Sequence, residues 1–294
     1  MVTCGFSELS GTPLYPRYLE FRNQVFNQLL KYHHSGNPVY QLTAFDLSGS
    51  RSSEGNSAAR AYGIEYDHYD IPKALHLAYV APPSSRTASH AVTRRVYDGP
   101  VLGCIRFLPT DGPYMIRDAV EGGGWRNVEL FDARLPASAD IYEASRIAVS
   151  PDIADPAMRK TIVDNLVYAN VEIGVRLGVH KMLGIMYDRV WNAVYVKRGV
   201  PIRYLSKPFH VDDGQAIIIG EIDTSPATLD ELKRRFADQL ADGTIRAAQI
   251  EPSTWMLHHH HVRKSGVLQP ELIPDQPSTA APQRPIELMQ PAAL

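Results

Sequence analysis

Charged residues inside apolar, strand-forming segments constrain this chain more than any other feature. Arg106 lies within the apolar run 101–109, and Glu143 and Arg146 lie within the strand-forming run 141–149. Charges are rarely buried unless they are paired. One interpretation is a single structural salt bridge at a strand edge. The other is an internal network of acids and arginines from several strands, which the position of Arg106 in an apolar strand favours.

An acidic cluster at residues 65–70 precedes the strand-like run 75–81. Its members Asp67 and Asp70 are three positions apart, which places them together on a turn but on opposite faces of a strand. From spacing alone, a solvated loop is as good an interpretation as a binding site. Combined with the arginines, the cluster predicts a network that binds a zwitterion, with acids holding an ammonium group and arginines a carboxylate.

Composition excludes several classes of protein. The net charge of −2 over 294 residues argues against broad nucleic-acid binding. Two cysteines argue against a disulfide framework and fit a reducing cytoplasm. We find neither a signal-peptide pattern nor the run of roughly 20 apolar residues that a membrane helix needs. The expectation is a cytoplasmic protein without a membrane or nucleic-acid partner.

The order of the predicted elements indicates an α/β or α+β fold with a mixed sheet. Three strand-like runs precede a long helix predicted at 155–177. A strand, a short helix at 189–197 and two further strands follow, and a later helix is predicted at 229–240. A stretch rich in Ser, Gly and Asn at about 33–63 is interpreted as an inserted loop. Residues 1–250 therefore form the predicted domain, followed by a proline-rich, disordered tail at 251–294.

A run of four histidines lies at 258–261, close to the predicted tail. Such a run can bind a metal ion in vitro. Its position in a segment without periodicity favours an incidental polar tract. No metal site is therefore expected.

Short sequence elements occur in a fixed order along the chain. The first is an arginine and an aromatic residue in the first predicted helix, and the second is the acidic cluster. The third is a Gly-x-x-Arg strand that ends in Pro-Thr and continues as Gly-Pro-Tyr-Met. The fourth is a Glu-x-Ser-Arg strand. The matching residues are Arg22 and Phe26; Glu65, Asp67, Tyr69 and Asp70; Gly103, Arg106, Pro109, Thr110, Gly112, Pro113, Tyr114 and Met115; and Glu143, Ser145 and Arg146. In these elements the chain resembles the acyl-homoserine-lactone synthases, the autoinducer synthases of quorum sensing.

The chain departs from the family's pattern at several positions. Tyr32 and Tyr142 stand where the family has tryptophan, and Val120 stands where it usually has phenylalanine. Members that use 3-oxo-acyl donors often carry a threonine where this chain has Met186. The resemblance therefore implies an unsubstituted, branched or aromatic acyl donor.

The resemblance implies a fold like that of the GCN5-related N-acetyltransferases, a mixed, twisted sheet flanked by helices, in which two central strands separate around a thioester. It implies N-acylation of S-adenosylmethionine (SAM) by an acyl thioester, followed by lactone closure and release of methylthioadenosine. The partners would be SAM and either acyl carrier protein or acyl-CoA. These molecules are substrates, so no cofactor is expected.

The resemblance also assigns candidate roles to residues. The candidate catalytic residues are Glu143, as the base, with Arg146, Arg106, Asp67 and Asp70. The candidate SAM-binding residues are Arg22, Phe26, Tyr32, Asp67, Asp70 and Arg106. The candidate acyl pocket consists of Ile105, Val120, Leu166, Met182 and Met186.

Two alternatives stay open at the level of sequence. One is an acyltransferase of the same fold that acts on another amine. The other is a non-catalytic module that binds SAM or an acyl carrier.

Overall fold

The computed structural model describes most of the predicted domain. The described residues are 2–5, 14–29, 69–70, 73–81, 99–125, 127–132, 134–210 and 216–250. The predicted inserted loop and the predicted tail, together with Asp67 and Tyr32, lie outside them. Within these ranges, none of the helices combines the length and apolarity that spanning a bilayer requires.

Strands and helices are interspersed along the described parts of the chain. The strands are β1 (Val2–Gly5), β2 (Leu75–Val80), β3 (Val101–Pro109), β4 (Ile141–Val149), β5 (Lys181–Tyr187), β6 (Ile202–Tyr204), β7 (Phe209–His210), β8 (Ala216–Asp223) and β9 (Gln249–Ile250). The helices are α1 (Leu14–Arg22), a π-helical continuation (Asn23–Leu29), α2 (Met115–Glu121), α3 (Pro156–Leu177), α4 (Asp188–Val194), a 3₁₀ turn (Val196–Arg198), α5 (Pro226–Arg235) and α6 (Ala237–Ala241).

One mixed sheet collects all the described strands. Its order is β6-β8-β5-β4-β3-β2-β1-β9, and β7 pairs separately with β8. Its neighbouring strands are antiparallel except for the β4–β5 and β1–β9 pairs. This confirms the predicted α/β class and its mixed sheet.

The central parallel pair separates along its length. In the described residues, β4 pairs with β5 only where Ile141–Glu143 lie beside Lys181–Leu183. Both strands continue well beyond these residues. Parallel strands that stop pairing leave a gap between them. This gap matches the strand separation that the sequence resemblance implied.

Helix α3 shows how local sequence sets the frame of the site. The Asp155 side chain caps the helix by accepting the Ala157 amide at 2.9 Å, and Pro156 occupies the first turn. Gly178 ends the helix in the left-handed conformation, at φ 69°. The helix covers the face of the sheet that carries Tyr142 and Ala144 of β4. Because side chains alternate along a strand, Glu143 and Ser145 must face the opposite side.

Some sequence expectations need correction. The predicted helix 229–240 is two helices, because the chain turns at Phe236 between α5 and α6. The N-terminal helix changes from α-helical to π-helical at Asn23. The short strands β1, β7 and β9 were not expected at all.

Candidate active site

A buried network of ion pairs lies where α1, β2 and β3 meet. Arg22 holds both oxygens of the Asp70 carboxylate, with Nη1–Oδ1 at 2.7 Å and Nη2–Oδ2 at 3.1 Å. Arg106 Nη1 reaches the same Oδ1 at 3.1 Å, and its Nε donates to Ser145 Oγ at 3.2 Å. Arg22 and Arg106 are fully buried. Of the residues predicted to form a network, these contacts join Asp70 and Arg106; Arg22 and Ser145 extend the contacts to α1 and β4.

Glu143 occupies a different environment on β4. Its Oε2 accepts the backbone N–H of Ile116 at 2.7 Å, at the start of α2. Its Oε1 is buried and accepts no hydrogen bond from the part of the chain that the structure describes. Complete burial raises the pKa of Glu143 to about 7, against the opposing effects of the Ile116 amide, of Arg106, of the Ser145 hydroxyl and of Arg146. Such a carboxyl group can exchange a proton near neutral pH.

Arg146 lies at an irregularity of the β3–β4 ladder. Cys104 pairs with Ala148 and Arg106 pairs with Ser145, so the register passes over Arg146 and Ile147. Arg146 has φ 55°, a left-handed conformation that is uncommon for residues other than glycine. These two features define a β-bulge, which re-aims side chains and backbone groups beside the gap between β4 and β5.

The bulge directs Arg146 toward the N-terminal helical segment. Its guanidinium carbon is 5.1 Å from the centroid of the Phe26 ring, and its Nη1 is 3.6 Å from Met115 Sδ. A guanidinium over an aromatic face gains a cation–π attraction. Phe26 and Arg146, predicted from separate sequence elements, are therefore neighbours.

The residues of the predicted acyl pocket lie on two faces of the sheet. Four of them belong to the core beneath α3, namely Ile105, Leu166, Met182 and Met186. Val120 packs on the other face, in the cluster around α2. The structure therefore brings four of the five predicted pocket residues together and places Val120 on the opposite face of the sheet.

The described residues line a cavity of about 740 Å³. It lies between α1 and the loop that connects β4 to α3, and its lining includes Arg17, Phe21, Asp152 and Met158. None of the predicted site residues within the described ranges lines it.

Sequence reasoning also missed two buried residues next to Asp70. His76 Nε2 lies 3.9 Å from Asp70 Oδ1, and His76 Nδ1 lies 3.0 Å from the hydroxyl of Tyr18. A signal was available, since a histidine in an apolar strand needs a partner.

The fold and the site together define a class of protein. A mixed sheet with a separated parallel pair at its centre, flanked by helices, is the architecture of the GCN5-related N-acetyltransferases. Two structures of BjaI, a CoA-dependent acyl-homoserine lactone synthase, share it. The structure with SAM and isopentyl-CoA has a TM-score of 0.54 at 18% identity, covering 84% of this chain and 92% of BjaI. The structure with MTA has a TM-score of 0.58 at 17% identity, covering 88% and 99%.

Sequence comparison gives the family within that class. The model of the autoinducer synthase family matches residues 61–232, more than half of the chain, and the protein belongs to this family. An acyl-homoserine-lactone synthase of Vibrio anguillarum is 32% identical over 91 residues. That match covers 31% of this chain and 36% of the relative, so it spans about a third of the relative's length.

Proposed function

We propose that this protein is an acyl-homoserine-lactone synthase, an acyltransferase that acylates SAM from an acyl thioester and then closes the lactone. The supporting observation is the Glu143 carboxyl group, which is buried, has a pKa of about 7 and keeps one oxygen unpaired by any described residue. It lies beside a cluster that would hold an amino acid. Family membership and the relatives' substrates point the same way.

The network has the charge that the amino-acid part of SAM requires. The described residues include three guanidinium groups, Arg22, Arg106 and Arg146, against the carboxylates of Asp70 and Glu143. Guanidinium groups favour the carboxylate of SAM, because they bind carboxylates through paired, charge-assisted hydrogen bonds. Asp70 accepts from two arginines, which favours a role in fixing them over a role in binding the ammonium group. Asp67 and Tyr32 keep their predicted roles in SAM binding as proposals.

In the proposed first step, the α-amine of SAM loses a proton to Glu143 and attacks the thioester carbonyl carbon. The carbon–sulfur bond of the thioester breaks, and the sulfur leaves as a thiol after taking up the proton that the acylated nitrogen releases. In the second step, the SAM carboxylate attacks its own γ-carbon, and the bond to the sulfonium breaks. This step closes the lactone and releases methylthioadenosine.

The gap between β4 and β5 is the proposed position of the thioester. It ends at Glu143 on one side, and the bulge at Arg146 and Ile147 lies along it. Backbone amides beside the gap are available to hold the oxyanion of the tetrahedral intermediate. The acyl chain would enter the core near Ile105, Leu166, Met182 and Met186, with Val120 on the far face. Met186 offers no hydroxyl group, so we propose an unsubstituted, branched or aromatic donor.

The reaction would need no bound cofactor. Its donor would be acyl carrier protein or acyl-CoA, and neither a membrane nor a nucleic acid would take part. A cytoplasmic location is part of the proposal, because two cysteines in 294 residues fit a reducing compartment.

We also propose residues 1–250 as the synthase domain, with 33–63 as an insertion and 251–294 as a tail. Pairing of β9 with β1 at Gln249–Ile250 supports a boundary near residue 250. A chain ending after Ile250 should unfold at the same temperature as the full chain. A large drop in that temperature would contradict the boundary.

The test of function is product analysis. The purified protein is incubated with SAM and matched acyl-CoA and acyl-carrier-protein donors, and products are identified by mass spectrometry. We expect an acyl-homoserine lactone and an equal amount of methylthioadenosine. An acylated amine without methylthioadenosine would indicate another acyltransferase, and binding of SAM without any product would indicate a non-catalytic module.

A further inference from the structure

Two buried titratable groups behind Asp70 have no part in the proposed chemistry. Tyr18 of α1 and His76 of β2 are almost wholly inaccessible to solvent. Their rings meet edge to face with centroids 5.3 Å apart, and the Tyr18 hydroxyl lies 3.0 Å from His76 Nδ1. The other imidazole nitrogen, Nε2, lies 3.9 Å from Asp70 Oδ1. The imidazole therefore stands between a hydroxyl group and a carboxylate.

The β2–β3 register explains why His76 faces the network. His76 lies directly opposite Arg106 in the antiparallel ladder, and opposite residues carry their side chains on the same face. Its neighbours Leu75 and Leu77 face the core beneath α3. His76 and Arg106 thus approach Asp70 from adjacent strands, while Arg22 approaches it from the helix.

The contacts decide which imidazole nitrogen carries the hydrogen. Burial raises the pKa of Tyr18 well above its usual value, so its hydroxyl keeps its proton. If Nδ1 carried the imidazole hydrogen, the lone pair of Nε2 would face the negative carboxylate of Asp70. With Tyr18 donating to Nδ1, the Nε2–H group faces that carboxylate and is attracted to it.

The neighbouring charges indicate that the imidazole is neutral. Arg22 and Arg106 both already contact Asp70 Oδ1. Among the residues that the structure describes, a protonated His76 would be a third cation around this one carboxylate, in a buried site. Both burial and the like charges oppose that state. A neutral ring can supply an N–H dipole without adding charge.

We propose that Tyr18 and His76 are positioning residues for the SAM site. Tyr18 fixes His76 as the neutral Nε2–H tautomer, the N–H dipole steadies Asp70 Oδ1, and Asp70 in turn holds Arg22 and Arg106 in the orientation that receives the SAM carboxylate. The orientation of the arginines toward the SAM carboxylate rests on the proposed function. The tautomer of His76 and the role of Tyr18 in fixing it do not.

The tautomer is tested by nitrogen NMR of the full chain labelled with ¹⁵N-histidine. The spectrum of His76→Gln identifies the His76 signals by their loss. At pH 7.5 we expect a neutral ring protonated at Nε2, and a change in the Nε2–H population in Tyr18→Phe. An imidazolium, or a ring protonated at Nδ1, would overturn the proposal. This readout needs no turnover, so it stands even if no lactone is formed.

Kinetics test the effect on the substrate. Removing one buried hydrogen bond in Tyr18→Phe should raise the KM for SAM about fivefold and leave kcat within about twofold. His76→Gln keeps an N–H donor and should stay within about threefold of wild type. His76→Leu, which lacks any donor, should show the larger rise in KM.

A matched variant separates positioning from general loss of stability. Tyr195 is also fully buried, and its hydroxyl accepts from Asn170 Nδ2 at 2.9 Å, on the far side of the sheet. Tyr195→Phe should lower the unfolding temperature as Tyr18→Phe does and leave the KM for SAM unchanged. Equal KM effects in the two variants, or equal effects in His76→Gln and His76→Leu, would refute the positioning role.

Discussion

Two buried carboxylates in this molecule have opposite surroundings. Asp70 accepts hydrogen bonds from two guanidinium groups, which engage both of its oxygens. Glu143 accepts one backbone N–H, at Oε2, and its Oε1 has no hydrogen-bond partner among the described residues. Both are nearly inaccessible to solvent, at 4% and 0% exposure. Burial therefore does not distinguish them; their partners do.

The difference teaches how one site can hold a structural charge and a proton acceptor side by side. A carboxylate with guanidinium partners keeps its negative charge and organises those partners. A carboxylate that is desolvated and only partly compensated becomes easier to protonate, as the pKa of Glu143 shows. Replacing each acid by its amide should therefore produce opposite effects on stability.

The largest expected effect is on catalysis. Glu143→Gln keeps the shape of the side chain and an acceptor for the Ile116 amide but cannot take a proton. Loss of a general base lowers turnover by about 100-fold to 10,000-fold. Lactone formation is measured by mass spectrometry, and SAM binding by calorimetry serves as the control. Turnover within tenfold of wild type would remove Glu143 from the proposed role.

The next largest effect is on stability. Asp70→Asn removes the charge of the buried carboxylate that Arg22 and Arg106 share. Breaking a buried ion pair in this way costs about 3–5 kcal/mol. We expect a loss of that size in the free energy of unfolding, measured by denaturant titration. A loss below about 1 kcal/mol, as is typical of exposed ion pairs, would mean that the network is not closed to water.

Much of the fold follows from sequence because long elements carry redundant signals. The predicted bounds 141–149 for β4 and 155–177 for α3 agree with the structure within one residue. In α3, the capping Asp155, the first-turn proline and the terminal Gly178 all indicate the same limits. The short strands β1, β7 and β9 have two to four residues, too few for alternation to be recognised.

The site was predictable where side chains pair with side chains. Asp70 and Arg106 were expected to meet because opposite charges in apolar strands require each other. The contact of Glu143 with the Ile116 amide was not predictable, because a backbone donor has no signature in the sequence. The bulge was also hidden, since the left-handed position is an arginine and not a glycine. The pairing of individual arginines with individual acids depends on the Ile116 amide contact and on the bulge, so it could not be predicted.

A third prediction uses pH to separate the two acids. The pKa of Glu143 rises from 4.5 to about 7 on folding, so the folded protein binds more protons between these values. Stability should therefore fall as the pH rises from about 4.5 to 7, by about 3 kcal/mol from this group. Glu143→Gln should lack this loss and be the more stable protein at pH 8. Parallel pH profiles for the two proteins would contradict the raised pKa.

The smallest expected effect concerns the link between the two regions. Ser145 Oγ accepts from Arg106 Nε at 3.2 Å and is one position from Arg146 on β4. Ser145→Ala should cost about 1 kcal/mol of stability and raise the KM for SAM a few-fold, because the Arg106 guanidinium loses one of its supports.

The control is Ser206→Ala, since the buried Ser206 hydroxyl accepts the Ile219 amide at 3.0 Å, beyond the site. That variant should lose similar stability without any change in KM. If Ser145→Ala leaves the KM unchanged as well, Arg106 is positioned without Ser145, and β4 contributes Glu143 and the bulge but not the alignment of the arginine. The comparison of the two carboxylates would then describe two independent sites and not one coupled site.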